Sequence, residues 1–485
     1  MSVDSIVDIA GRVTRGEASA REIATDAVRR MKAGAELGAF ISVLEDELLA
    51  EATAVDERRA RGEALGPLAG VPVAVKDAIC TRGVRTTAGS RALEGWVAPY
   101  DAHVVSRLRA AGAVVCGKTN MDEFAMGSSN ENSAFFPAKN PHDPTRAPGG
   151  SSGGSAVAVA AEMAPASLGS DTGGSIRQPA ALTGIVGVKP SYGRVSRFGL
   201  VAFASSLDQI GPFAGDVRGA ARVLGVIAGH DPRDMTCRAL EAVDFEAACG
   251  RDVSGLRLGV PEEYFAEGLD AEVETRVREA IAALEARGCK VAPVHLPHTK
   301  HAVATYYVIA TAEASSNLSR YDGVRYGLRV EPQGGLAAMY GATRDAAFGK
   351  EVKRRILLGT YVLSAGHYDA YYAKAQRVRT LIARDFDAAF AEVDAIVCPT
   401  SPTPAFPLGE RTRDPLSMYL SDVYTLPASL AGVPAVSVPC APTAAGLPVG
   451  LQIVTRRDDE ATALALAAAW EADRGPLPRA RGAVT

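Results

Sequence analysis

Two short apolar segments limit most strongly how this chain can fold. Residues 68–75 are apolar and rich in β-branched side chains, which is typical of a buried strand, and Lys76 lies at the end of this segment. Residues 113–117 have the same character and follow a predicted helix over residues 103–111. Because strands that alternate with helices are typical of α/β proteins, we predict an α/β fold.

The alternation continues on both sides of this region. Residues 1–66 are predicted to form an N-terminal helical segment, in which Ser19 and Glu22 fit a capping box. Asp270 is expected to cap another helix. The remaining predicted elements are a helix over residues 378–390 and strands over residues 256–260, 394–398 and 449–454. No sharp change of composition marks a linker, so we predict that residues 1–485 form one large domain.

Composition restricts the class of protein. The net charge of −4 argues against a broad nucleic-acid-binding face, because such a face needs an excess of Lys and Arg. The seven cysteines form no CxxC pair and are expected to be reduced. His295, His298 and His301 are evenly spaced, but Pro297 interrupts them and we predict no metal site.

The N-terminal sequence and the apolar runs bear on location. The first ten residues contain two aspartates and no basic region, so they are not expected to act as a signal peptide. No apolar run reaches the roughly 20 residues that a membrane span needs. We therefore expect a cytoplasmic protein without membrane contact.

Two segments are rich in glycine and serine, residues 148–155 and residues 171–175. Either segment alone is compatible with a flexible linker. Residues 149–153 also fit the GxSxG pattern of the α/β-hydrolase nucleophile elbow, but no Val-rich strand precedes them. Neither segment ends in the GK[ST] sequence of a phosphate-binding loop.

Lys76 supplies a chemical reason to connect these segments. Serine becomes a good nucleophile only when a base takes its proton, and neither segment contains a histidine. A lysine at the end of a buried strand can lose its proton near neutral pH, because burial disfavours the ammonium form; the competing interpretation is an ordinary surface or ion-paired lysine. The glycines of residues 172–175 would let backbone N–H groups converge on the oxyanion of an acyl-transfer reaction.

The order of these features resembles the amidase signature family. The similarity extends over about residues 70–212 and includes Lys76, both glycine- and serine-rich segments, residues 187–190 and residues 208–212. The resemblance implies a single large α/β domain with a central mixed β-sheet covered by helices on both sides.

The resemblance also implies roles for individual residues. Ser175 would be the nucleophile, Lys76 the base, and Ser151, after a cis peptide bond to Gly150, the group that passes the proton between them. The N–H groups of an oxyanion hole would belong to Thr172, Gly173, Gly174 and Ser175. Asp171 and Arg177 are interpreted as structural partners rather than catalysts.

Four further segments are similar to one branch of this family, the A subunits of tRNA-dependent glutamyl-tRNA(Gln)/aspartyl-tRNA(Asn) amidotransferases. They are residues 122–129, 313–327, 351–356 and 364–372. This similarity implies a glutaminase subunit of a heterotrimer, whose partners would be a tRNA-binding kinase and transamidase subunit, which receives the ammonia, together with a small bridging subunit. The tRNA, ATP and Mg²⁺ would bind mainly on the partner, and this chain would bind no cofactor.

A glutamine pocket needs a cation for the α-carboxylate and an anion for the α-ammonium group. By resemblance, Arg355 would bind the carboxylate, Asp422 would meet the ammonium, and Ser128 and Tyr306 would line the pocket. Arg354 is adjacent and is an alternative to Arg355, and exposed charges on a helix and a loop are the competing interpretation.

Two other functions compete with this one. A free-standing amidase could use the same triad on another small amide, and a catalytically silent scaffold subunit could bind partners only. The presence of Lys76, Ser151 and Ser175 argues against the scaffold, and the expected glutamine pocket separates the glutaminase from the free-standing amidase.

Overall fold

Strand β2, which ends in Lys76, lies inside an eleven-stranded sheet. The computed structural model describes residues 4–480, 482 and 483, so the outermost ends of the predicted domain, residues 1–3 together with 481, 484 and 485, lie outside the described residues. The strands are β1 (Phe40–Val43), β2 (Pro72–Lys76), β3 (Val114–Thr119), β4 (Ala166–Asp171), β5 (Val186–Lys189), β6 (Gln209–Ala214), β7 (Arg257–Pro261), β8 (Lys290–Val294), β9 (Ala395–Pro399), β10 (Ala435–Pro439) and β11 (Gly450–Thr455).

The sheet is mixed, with the strand order β1-β3-β2-β4-β6-β5-β10-β11-β9-β7-β8. Strand β2 pairs in parallel with β3 and with β4, and β7 pairs in parallel with β8 and with β9. The remaining pairs are antiparallel. This order puts β4, which leads into the second glycine-rich segment, directly beside β2.

Helices connect these strands. They are α1 (Ile6–Arg15), α2 (Ala20–Ala33), α3 (Glu45–Ala60), α4 (His103–Ala110), α5 (Gly153–Ala160), α6 (Arg177–Thr183), α7 (Val217–Ile227), α8 (Phe245–Ala248), α9 (Ala271–Ala286), α10 (Ala302–Asn317), α11 (Gly335–Ala347), α12 (Lys350–Leu363), α13 (Lys374–Glu392), α14 (Pro415–Leu420), α15 (Leu426–Ala431) and α16 (Glu460–Arg474).

Side chains of alternate strand residues enter different hydrophobic cores. Val73 and Val75 of β2 pack with α4, α7 and α16, whereas Ala74 packs with α2, α3 and α5. In β9, Val397 belongs to the first of these cores and Ile396 to a third core that includes α10 and α13. Both faces of the sheet are therefore covered by helices, which confirms the predicted α/β fold.

Most local predictions agree with the structure, but the segment over residues 1–66, predicted to be helical, also contains strand β1, which pairs with β3. Ser19 and Glu22 form the capping box of α2, and Asp270 caps α9. The strand predicted over residues 68–75 begins only at Pro72, because residues 67–70 form a turn in which Gly70 has a φ of +70°.

Strand β4 was not predicted from the sequence. Its polar and small residues, among them Ser167, Gly169 and Ser170, do not resemble a hydrophobic strand, yet all six residues of β4 are buried. Their hydroxyl groups have partners inside the protein: Ser167 donates to the carbonyl of Ser155, and Ser170 accepts from Lys76. A buried polar strand is stable when its polar groups are hydrogen-bonded in this way.

The described residues contain no helix that is long and apolar enough to cross a membrane. Within the same residues, no group of three or more His, Cys, Asp or Glu side chains could hold a metal ion. All seven cysteines are free thiols.

Candidate active site

Lys76 lies at the centre of a buried hydrogen-bond network. Its Nζ is 2.7 Å from Ser151 Oγ, 2.8 Å from Ser152 Oγ and 2.9 Å from Ser170 Oγ. Burial lowers the pKa of Lys76 to about 7, although Asp122, Asp171 and Asp208 oppose the shift. Near neutral pH a substantial fraction of the amine is therefore uncharged and able to accept a proton.

Ser151 is held by a close-fitting backbone. The peptide bond between Gly150 and Ser151 is cis, and the N–H of Gly150 donates to Oε1 of Gln178 at 3.0 Å. The N–H of Asp122 donates to the carbonyl of Ser151 at 3.2 Å. A Cβ at position 150 would lie 2.1 Å from Oδ2 of Asp122, so only glycine fits there.

Ser175 ends the turn that follows β4. Its carbonyl accepts a hydrogen bond of 3.3 Å from the N–H of Ser152, so the backbones of the two serine-bearing segments are in direct contact. The Ser175 residue is 7% exposed. Among the described residues, no hydrogen bond joins the hydroxyl groups of Ser151 and Ser175.

Hydrogen bonds to residues of distant segments fix the turn that precedes Ser175. Thr172 Oγ1 donates to Asp208 Oδ1 at 2.7 Å, and Thr425 Oγ1 donates to the carbonyl of Gly173 at 2.7 Å. Within the described part of the chain, the N–H groups of Gly173, Gly174 and Ser175 donate to no protein acceptor. Backbone donors that are rigidly held and unpaired are what an oxyanion hole requires.

Asp171 and Arg177 form a buried ion pair. The guanidinium group donates from Nε and from Nη2 to the two carboxylate oxygens, both at 3.0 Å. Burial alone would raise the pKa of Asp171, but Arg177 outweighs it and holds this pKa below its usual value. Arg177 also donates to the carbonyl of Thr425 at 2.8 Å, so the pair anchors the turn to a distant segment.

Asp422 and Tyr306 flank the turn of residues 172–175, hereafter the glycine turn. A Cβ on Gly174 would lie 3.0 Å from Asp422 Oδ1, and a Cβ on Gly173 would lie 2.8 Å from Tyr306 Cζ. Ser128 Oγ donates to Asp422 Oδ2 at 2.5 Å, whereas the buried Oδ1 has no hydrogen-bond partner among the described residues. Burial raises the pKa of Asp422 to about 7, against the effect of Ser128. This carboxylate oxygen is available to a cationic group of a ligand.

Arg355 lies on the inner face of α12 and is 2% exposed, whereas Arg354 is directed outward. Nε of Arg355 donates to Glu351 Oε1 at 2.8 Å. The guanidinium carbon is 5.1 Å from the ring centre of Tyr307 and 5.4 Å from that of Tyr419. The interpretation of Arg355 and Asp422 as exposed charges is therefore wrong, because both are buried.

The predicted residues form two groups that are joined through tyrosines. Lys76 is hydrogen-bonded to Ser151, and the N–H of Ser152 donates to the carbonyl of Ser175. Asp422 and Tyr306 line the turn that ends in Ser175, and Ser128 is hydrogen-bonded to Asp422. Arg355 reaches this group indirectly, because its neighbour Tyr307 packs edge-to-face against Tyr306 with ring centres 5.1 Å apart.

Several site residues were missed from the sequence. Gln178 joins the loop that contains Ser128 to the loop that contains Gly150. Its Nε2 donates to the carbonyl of Ser128 at 2.9 Å, and its Oε1 accepts from the N–H of Gly150. Glu351 lies four residues before Arg355, a helical spacing that could have revealed it. Thr425 has no local signal, because its contact with Gly173 spans 252 positions.

Comparison with known proteins is decisive for the family. The family model described as Amidase matches residues 22–464. The chain belongs to the amidase family. The predicted family is thus confirmed, and its members provide the context for the site described above.

Among the amidase relatives, the A subunit of glutamyl-tRNA(Gln) amidotransferase from Koribacter versatilis (strain Ellin345) is 57% identical over 456 residues, which cover 94% of this chain and 95% of that protein. The crystal structure of the corresponding A subunit from Thermotoga maritima has a TM-score of 0.82 and 43% identity, covering 100% of this chain and 98% of that one. Native peptide amidase from Stenotrophomonas maltophilia has a TM-score of 0.83 but 30% identity, covering 99% and 98%. The fold is shared by both kinds of amidase, and the sequence is more similar to those of the amidotransferases.

Proposed function

We propose that this amidase is the glutaminase subunit of a tRNA-dependent amidotransferase, which hydrolyses glutamine and supplies ammonia for the conversion of Glu-tRNA(Gln) to Gln-tRNA(Gln). The observation that carries the proposal is the placement of an unpaired buried carboxylate oxygen, on Asp422, against the turn that ends in Ser175. The identity of 57% to an amidotransferase A subunit over 94% of the chain supports it.

In this proposal Lys76, Ser151 and Ser175 form the catalytic triad. Neutral Lys76 takes a proton from Ser151 as Ser151 takes one from Ser175, and Ser175 Oγ attacks the side-chain amide carbon of glutamine. The N–H groups of residues 172–175 stabilise the oxyanion, each donor contributing about 3–4 kcal/mol. The proton returns through Ser151 to the leaving nitrogen, the C–N bond breaks, and ammonia departs. Water then hydrolyses the glutamyl ester to glutamate and restores Ser175.

Glutamine would be recognised through its two charged α-groups. The ammonium group pairs with Oδ1 of Asp422, and the carboxylate pairs with the Nη groups of Arg355, for which the described residues offer no acceptor. Arginine suits this task because its fork matches a carboxylate. Ser128 holds Asp422, and Tyr306 adjoins Gly173 and packs against Tyr307, the ring beside Arg355.

The relatives are named as the A subunit of an amidotransferase, which supports the proposal that this chain acts within a complex. We propose that two partner subunits join this chain in a cytoplasmic heterotrimer, that ATP and Mg²⁺ act on the tRNA-binding partner, and that ammonia passes to that partner. Aspartyl-tRNA(Asn) is proposed as a second acceptor of the ammonia. The alternative function is a free-standing amidase, which the structural likeness to a peptide amidase supports.

Replacing Asp422 with asparagine should raise the KM for glutamine by about 10- to 100-fold, with kcat changed much less. The reason is the loss of a charge-assisted hydrogen bond to the ammonium group, which contributes about 1.5–3 kcal/mol. Steady-state release of ammonia measures both constants. Asp387→Asn, on the exposed side of α13, is the matched control and should leave them unchanged. An unchanged KM in Asp422→Asn would remove Asp422 from the pocket.

Expression of this chain together with the two proposed partner subunits should yield a stable complex. Its glutaminase activity should increase when the partners, ATP and charged tRNA are present. Gel filtration and an ammonia assay with and without each component test this expectation. A fully active monomer that prefers another small amide to glutamine would instead identify the free-standing amidase.

A further inference from the structure

We propose that Glu351 is a positioning residue for substrate recognition: it holds the guanidinium group of Arg355 so that both Nη groups face the substrate carboxylate. This inference deepens the proposed function and rests on it. It follows from the contacts around one carboxylate on α12 that has no part in the proton transfers.

The first observation is the way in which Glu351 uses its two oxygens. Oε1 accepts from Arg355 Nε at 2.8 Å and from the hydroxyl of Tyr419 at 3.0 Å, while Oε2 accepts from Arg354 Nη1 at 2.5 Å. Burial alone would raise the pKa of Glu351, but the attraction of Arg355 and the hydrogen bonds outweigh it and keep this pKa below its usual value. The carboxylate is therefore ionised at neutral pH, and both of its oxygens accept hydrogen bonds.

The second observation concerns the two Nη groups of Arg355. Nε is occupied, and the ring faces of Phe203, Tyr307 and Tyr419 surround the guanidinium carbon at 5.1–5.7 Å. Nη1 and Nη2 have no hydrogen-bond acceptor among the described residues. The residue is only 2% exposed, but neither of these two atoms is completely buried. The two Nη groups are therefore available to an acceptor that a ligand supplies.

The third observation explains why a rotating guanidinium would be harmful. A planar fork can bind a carboxylate bidentately only when its plane and direction are fixed. Tyr419 reinforces this alignment, because its ring stacks on Tyr307 with centres 3.7 Å apart while its hydroxyl binds Glu351. Without the carboxylate, Nε would lose its acceptor and the fork would no longer be preset, so binding would require ordering of the side chain.

A pair of substrates separates positioning from general damage. L-Glutamine carries the α-carboxylate, and 4-aminobutanamide has the same side-chain amide and ammonium group without it. In Glu351→Gln, we expect KM for glutamine to rise by about 10-fold or more with kcat within about threefold, and kcat/KM for 4-aminobutanamide to stay at the wild-type value. An equal loss of kcat/KM with both substrates would overturn the inference, because it would indicate a structural defect.

The matched control is Glu274→Gln on α9. Glu274 accepts from Arg278 Nε at 2.7 Å with the same four-residue helical spacing, but it lies on the surface. This variant should behave as wild type with both substrates. Tyr419→Phe removes one donor from Glu351 and should produce a smaller rise in KM for glutamine, which keeps the inference testable if Glu351→Gln folds poorly.

Binding without turnover distinguishes failure of this inference from failure of the proposed function. In a Ser175→Ala background, calorimetry should give a dissociation constant for L-glutamine that increases about 10-fold or more when Glu351→Gln is added. It should increase little when Glu351→Gln is added to a protein that already carries Arg355→Ala. Absence of any glutamine binding contradicts the proposed function, whereas equal dissociation constants with and without Glu351→Gln contradict the inference alone.

Discussion

Ammonia release from glutamine should fall by about 10⁴- to 10⁶-fold in Ser175→Ala, because loss of a catalytic serine removes the covalent route entirely. Ser175 is the hydroxyl-bearing residue at the end of the glycine turn, whose N–H groups from Gly173 to Ser175 donate to no acceptor among the described residues. The substitution deletes one oxygen from a residue that is 7% exposed, so the fold should be preserved. A glutaminase assay on the assembled complex measures the loss, and circular dichroism checks the fold.

Ser106→Ala, on the exposed side of α4, serves as the control for the alanine substitution itself and should retain full activity. If Ser175→Ala kept glutaminase activity while remaining folded, the nucleophile would have to be another residue, and the proposed triad would be wrong.

Replacing Lys76 should have the second largest effect. Lys76→Met keeps an unbranched side chain that is one atom shorter and removes the amine, and we expect kcat to fall by about 10³- to 10⁴-fold, since no other base contacts Ser151 in the described structure. Lys374→Met, at the exposed start of α13, is the control. A loss of less than about tenfold would indicate that another group accepts the proton.

The pH profile of the wild-type enzyme gives an independent test of the same base. The pKa of Lys76 is lowered to about 7 by burial, and the reactive form is the neutral amine, so kcat should rise as the pH increases through about 7. Ionised Asp422, whose pKa burial raises to about 7, contributes to kcat/KM in the same direction. In Asp422→Asn the rise in kcat should persist. A kcat that does not change across the pH range around the Lys76 pKa of about 7 would argue against Lys76 as the base.

The two kinds of site residue were not equally predictable. Lys76 and the glycine turn could be identified because the signals are local: a short apolar run that ends in lysine, and glycines that allow a tight turn. The resemblance to a known family added Ser151 and Ser175. The resemblance favoured Arg355 over the adjacent Arg354, but local patterns could not show which of them is buried, because this depends on which side of α12 faces α10 and α14.

The recognition residues depend on contacts between distant parts of the chain. Asp422 lies 294 positions from Ser128, to which it is hydrogen-bonded, and Thr425 lies 252 positions from Gly173. Such contacts exist because the sheet order places β5 beside β10, which brings α15 and the segment before it to the glycine turn. Local patterns contain no information about this order.

By itself, the sequence determined the α/β class, the family resemblance, and the position of a lysine at the end of a buried strand, because hydrophobic periodicity, glycine and capping residues act over a few positions. Tertiary structure alone decided that the polar segment after α5 is the strand β4, that burial lowers the pKa of Lys76 to about 7, and that Arg355 is buried between Tyr307 and Tyr419 whereas Arg354 is exposed. Burial, and the partners that satisfy a buried polar group, exist only once distant segments pack together.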